Sequence, residues 1–120
     1  MSIFGAVILG LSAQAVPAAI DVAHEDLVAG RDAAAIEEIM NNEALDAGDP
    51  ARAINLGIAH ARRGEVEQAR RLFDAVLEAD EALYLETAQG DWIEARKLAA
   101  RALTMLERGD FARRAVMASR

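Results

Sequence analysis

Few side chains in this sequence could do chemistry. Histidine occurs at His24 and His60 and cysteine not at all, so disulfides, thiolate metal sites and cysteine nucleophiles are excluded. A zinc or catalytic histidine needs companion ligands at fixed spacing, and His24-Glu25-Asp26-Leu27 does not supply them. Two adjacent carboxylate pairs, Glu37-Glu38 and Asp80-Glu81, remain as acid–base candidates. Neighbouring residues on a helix point about 100° apart, so neither pair converges on one substrate atom and both read as solvated faces. The sequence contains no glycine-rich phosphate loop, Gly-x-Ser-x-Gly elbow or His-Glu-x-x-His helix. These residues predict a protein that is not an enzyme and that uses no cofactor and no metal.

The charge pattern bears on partners. The formal net charge is −7; residues 1 to 60 hold nine acids and two bases, and residues 61 to 120 hold eleven of each. Such a chain repels a phosphate backbone unless a local basic face overcomes the field. The one candidate runs from Arg96 to Arg120, with seven bases against Glu107 and Asp110. Aromatic stacking residues are not interleaved with those bases, and cations gather at helix C-termini for dipolar reasons, so no nucleic acid is expected.

Ser2 to Ile20 carry no charged side chain, and Ile3 to Leu11 is the most apolar stretch of the chain. The Ala13-Gln14-Ala15 that follows is a small-x-small pattern of the kind signal peptidase accepts. Residues 1–15 are therefore expected to be an apolar, signal-peptide-like leader cleaved after Ala15, with a periplasmic or secreted product. A retained membrane anchor and a helix buried in the fold are the competing readings. Nineteen uncharged residues interrupted by Gly, Ser, Gln and Pro are marginal for a span that needs about twenty.

Residues 16–120 are read as helical from abundant Ala, Leu, Glu and Arg and scarce β-branched runs. They also repeat. Gly30 and Gly64 stand 34 residues apart, and the same offset pairs Val22 with Leu56, Ala23 with Gly57, Ala35 with Ala69 and Ile39 with Phe73. Asp49-Pro50 is a helix start, with an acid at the N-cap and proline at the first helical position. Val66, Ala69, Leu72, Phe73, Val76 and Leu77 recur at helical spacing, as do Trp92, Ala95, Ala99, Ala102, Leu103 and Leu106. Gly90 follows Gly64 by 26 residues, so the third unit is shortened, its first helix clipped to about 81–87. Asn41 and Asn42 read as a helix end in the left-handed conformation.

The unit from Pro50 to Leu83 resembles the tetratricopeptide repeat family. It has Leu56-Gly57 on its first helix, Gly64 at the turn, and Ala69 followed by Phe73 on its second, with Gly90 and Ala95 restating the turn and second-helix start downstream. It departs from the family at Ala53, His60 and Glu81, where Trp, Tyr and Pro are usual. The resemblance implies an all-α fold of antiparallel helix-turn-helix repeats stacked as a short α-solenoid, with units at about 16–49, 50–83 and 81–108 and a C-terminal helix at 110–119. It implies an adaptor or scaffold that binds proteins, the first helix of each pair lining the concave surface. Asn55, Ile58 and Arg62 are then the partner-binding residues. Ala51, Ile54 and Ile58 stand where a carboxylate clamp would place polar groups, so the expected partner is an apolar or helical segment. The open ends of the array allow a homo-oligomer, although Phe111, Val116 and Met117 suggest partial capping. A membrane-tethered structural subunit of an envelope complex is the alternative, if the leader is kept.

Overall fold

A computed structural model describes residues 6–8, 18–19, 23–87 and 90–112. Its helices are α1 (His24–Val28), α2 (Asp32–Asn41), α3 (Pro50–Arg62), α4 (Val66–Leu77) and α5 (Ala95–Arg108). Its strands are β1 (Ala6–Ile8), β2 (Ala18–Ala19), β3 (Tyr84–Thr87) and β4 (Trp92–Glu94). Packed helices dominate, and α3 is the central one, touched by α2, α4, α5 and β2.

The 34-residue repeat is visible atom by atom. Helices α1 and α3 both end on a glycine in the left-handed region, Gly30 at φ +79° and Gly64 at φ +80°, where a side chain would be strained. In each turn the residue after the glycine donates back to the helix: Arg31 N–H to the Asp26 carbonyl at 2.8 Å, and Glu65 N–H to the His60 carbonyl at 2.9 Å. The glycine N–H bonds the next carbonyl along, Leu27 or Ala61, which completes a Schellman motif twice. The side chains over each turn also meet, Arg31 with Asp26 and His60 with Glu65, both at 2.8 Å. The second pair lies 34 residues after the first with its polarity reversed. His60 thus locks a turn, although the family pattern has an aromatic at its place. Ala35 and Ile39 on α2 are buried like Ala69 and Phe73 on α4, as the offset requires.

Gly57 and Phe73 interlock α3 with α4. A Cβ added at Gly57 would stand 2.5 Å from Phe73 Cε1, so the absence of a side chain is what lets the ring lie against the helix. On its other side Phe73 stacks on Phe111, with ring centroids 6.5 Å apart and planes inclined by 21°. Residues 110–112 are helical, and Phe111 is buried. Val116, Met117 and the remainder of the helix expected at 110–119 lie outside the described residues. The Asp49 cap forms as expected, its Oδ1 accepting from Ala51 N–H at 2.8 Å and Arg52 N–H at 3.1 Å.

Three local expectations change. Residues 84–87, expected at the end of a clipped helix, are strand β3, and Trp92 lies on strand β4 instead of the following helix, which starts at Ala95. Tyr84-Leu85-Glu86 alternates exposed, buried and half-buried, the period of a strand, and seven residues give a helix little more than one nucleating turn. Asn42 ends α2 with extended backbone rather than in the left-handed region, because its Oδ1 accepts from Ala44 N–H at 3.0 Å in an Asx turn. Residues 6–8 and 18–19 are strands, so the reading of the leader as a buried core helix does not hold there. The strands form one sheet in the order β2-β1-β3-β4, with β1 parallel to β3 and the other pairs antiparallel.

Candidate interaction surface

The three residues expected to meet a partner sit together on α3, but not on an open groove. Asn55 and Ile58 are both 0 % exposed. The expectation of an open concave face at these positions is corrected: in the full chain α3 has α2 and α4 beside it and β2 and α5 also against it. A solenoid would leave one flank of that helix to solvent. Asn55 is engaged in a polar or electrostatic interaction and is not a free group awaiting a ligand. Arg62, half-buried, is a clamp within the chain: one Nη1 donates to the Leu27 carbonyl at 2.7 Å and to Asp32 Oδ1 at 3.2 Å. It ties both helices of the upstream unit to the central helix.

Burial raises the Asp32 carboxyl above its ordinary value, although Arg62 pulls the other way, so removal from water outweighs the ion pair. Glu65 is shifted in the opposite sense. The His60 hydrogen bond first, and the Arg63 charge after it, hold its carboxyl below the ordinary glutamate value. Glu65 therefore contributes stability that is complete above the unfolded-state value of 4.5 and is lost as pH falls below it through the folded value. Asp32 works against this, since its contribution falls as pH rises from 3.8 through its raised folded value. Urea unfolding at a series of pH values checks the signs. Glu65→Gln is expected to reduce the loss of stability on acidification from about pH 6 to pH 3, and Asp32→Asn to enlarge it.

A shallow pocket of about 300 Å³ lies beside this turn, lined by Ala33, Ile36, Glu37, His60, Arg63 and Glu65. Its one histidine–carboxylate pair is the turn lock, and Arg63 Nε donates to the same Glu65 Oε1 at 3.2 Å. Among the described residues of the lining there is no hydroxyl or thiol for that pair to activate. Among the described residues no group of three or more His, Cys, Asp or Glu could hold a metal ion. Glu37, Glu38, Asp80 and Glu81 are exposed on the surface, as solvated faces are.

Residues 51–84 match the family model described as the tetratricopeptide repeat. Over this segment the chain is similar to a tetratricopeptide repeat. The match spans α3, the Gly64 turn and α4, the unit in which Gly57 meets Phe73 and Leu56 and Ala69 are buried. No curated protein and no solved structure matches the chain. Tetratricopeptide repeats bind proteins as a class. Sequence reasoning missed the β3–β4 hairpin, whose signal was the alternation of Tyr84-Leu85-Glu86 facing Trp92-Ile93-Glu94.

Proposed function

We propose that the chain is a non-catalytic protein-interaction adaptor of the tetratricopeptide type, exported and processed after Ala15, that holds an apolar or helical segment of a protein partner. The observation that carries this reading is the similarity to a tetratricopeptide repeat at 51–84. The Ala13-x-Ala15 pattern supports export; the Ala15–Val16 bond itself lies outside the described residues. No helix among the described residues is long and apolar enough to cross a membrane.

The partner surface in this reading is the flank of α3 that carries Ile58, uncovered by processing. Among the described strands, β2 is hydrogen-bonded to β1 alone. Cleavage after Ala15 removes β1 and leaves a two-residue strand without a neighbour, and so short a strand does not persist by itself. If that flank is the one with Ala51, Ile54 and Ile58, it suits an apolar segment better than a carboxylate.

Expression with the native N-terminus in a Gram-negative bacterium tests the proposal. The expected product is a periplasmic chain of residues 16–120 that chemical cross-linking joins to a distinct second protein. A full-mass chain in the membrane fraction would favour the tethered structural subunit. A periplasmic chain that cross-links to nothing would contradict the adaptor.

A further inference from the structure

Strand β1 lies inside the sheet, with β2 antiparallel on one side and β3 parallel on the other. Ala6 stands opposite Glu86 and Val7 opposite Thr87. The far edge of β3 is taken by β4, which pairs Tyr84 with Glu94, Leu85 with Ile93 and Glu86 with Trp92. Among the described strands, β3 therefore has β1 alone on its second edge. Cleavage after Ala15 takes that strand away and leaves the backbone groups on one side of 84–87 without a ladder.

What remains is a preformed edge. β3 keeps β4 beside it, Leu85 is buried and Ile93 packs against the core. Ala95 N–H closes the base of the hairpin by donating to the Leu83 carbonyl at 2.7 Å. The hairpin is thus anchored by contacts that do not involve β1, whereas β2 is hydrogen-bonded to β1 alone. Two strands are marginal by themselves, and a third strengthens them.

The strand seated there shows what fits. β1 comes from the most apolar stretch of the chain, Ile3 to Leu11, which has no charged side chain. It runs parallel to β3, an arrangement that a short hairpin connection cannot give and a separate chain can. Alternate residues of a strand share a face, so the position opposite Thr87, where Val7 stands, is on the Leu85 side of the sheet. Leu85 is buried, so that position calls for an apolar residue.

We propose that processing vacates the β1 slot and that the free edge of β3, Tyr84 to Thr87, takes an extended, uncharged, apolar segment of the protein partner as an added parallel strand. This rests on the export reading for the removal of β1, and deepens it by giving the partner segment a conformation, strand and not helix. Main-chain hydrogen bonds to β3 supply the affinity, and alternate side chains the selection.

The full chain is made with a site for a sequence-specific protease inserted at the Ala15–Val16 bond, so that β1 is cut loose without removing any residue. To it are added a fluorescent peptide with the sequence of residues 2–10, lysines appended for solubility, and the same peptide N-methylated at Ala6, Val7 and Ile8. The methylated peptide keeps every side chain but has no amide proton at those positions. The expected result is a saturable rise in anisotropy with the cut chain and none with the uncut chain, in which β1 is tethered at high effective concentration. The methylated peptide should bind at least about tenfold more weakly. Excess peptide should slow hydrogen exchange at 84–87 and leave α4 unchanged, relative to the cut chain alone.

Equal binding of the two peptides would overturn the proposal in favour of apolar adsorption. A cut chain that sediments as a dimer without peptide would overturn it in favour of a second copy at the edge. Loss of helical circular dichroism on cutting would overturn it as well, since β1 would then be part of the fold and its slot never vacant. The export reading is checked separately, by the mass of the chain that a Gram-negative host exports. A mass of residues 16–120 without peptide binding would overturn strand docking alone. An intact mass of residues 1–120 would overturn the export reading and, with β1 still seated, the docking that follows from it.

Discussion

Phe73→Ala is expected to lower the free energy of unfolding by about 3–5 kcal/mol, read as a shift of the urea midpoint at unchanged slope. Phe73 is 0 % exposed and is the largest fully buried side chain among the described residues. Its ring fills the space left by Gly57 on α3 and stacks on Phe111, so truncation removes contacts with the central helix and with the segment after α5 at once. Neither neighbour can collapse easily into the void. Gly57 has no side chain to move, and Phe111 is itself buried. A domain of about a hundred residues is stable by only about 5–15 kcal/mol, so this single change brings the chain close to unfolding.

Gly57→Val is the converse experiment, and a loss of about 1–3 kcal/mol or more is expected. In most helices replacing glycine gains stability, by up to about 1 kcal/mol for alanine. Here a Cβ would lie 2.5 Å from Phe73 Cε1 and 2.9 Å from Cζ, and the ring has no exposed side towards which to retreat. The same geometry predicts coupling. Phe73→Leu shortens the group that the new side chain strikes, so Gly57→Ala should be less harmful in a Phe73→Leu background than in the parent. A double-mutant cycle should give an interaction of about 1 kcal/mol or more, as for residues in direct contact. Additive losses would mean that the two helices do not meet as described.

Both predictions rest on positions that were legible before any coordinates. The spacing of Gly57, Gly64, Ala69 and Phe73 follows from close helix packing and one left-handed turn, which local residue types encode directly. The hairpin at 84–94 was harder to read, because Gly90-Asp91-Trp92 imitates the glycine turn and helix start of the unit before it. What decides the matter is non-local: β3 pairs with β1 from the far end of the chain, and Ala95 N–H donates to the Leu83 carbonyl at 2.7 Å. The accessibility of α3 is not legible in the sequence for a related reason. The residue pattern places Asn55 and Ile58 together on that helix, but whether their flank is open depends on where the apolar N-terminal segment goes. Arg62 carried no such signal, since its partners Leu27 and Asp32 are 35 and 30 residues away.

The α3 flank can be tested directly. Cysteine is absent from the chain, so Ile58→Cys introduces a unique thiol at a fully buried site. Its rate of reaction with a maleimide is measured in the chain of residues 1–120 and in the chain that begins at Val16, with circular dichroism confirming that both are folded. A protected thiol is expected in the longer chain and labelling at least about tenfold faster in the shorter one, the sign of a flank opened by loss of β1. Equal protection in both would contradict it: Ile58 would then be an ordinary core residue, and the α3 flank would not be the surface through which this chain binds its partner.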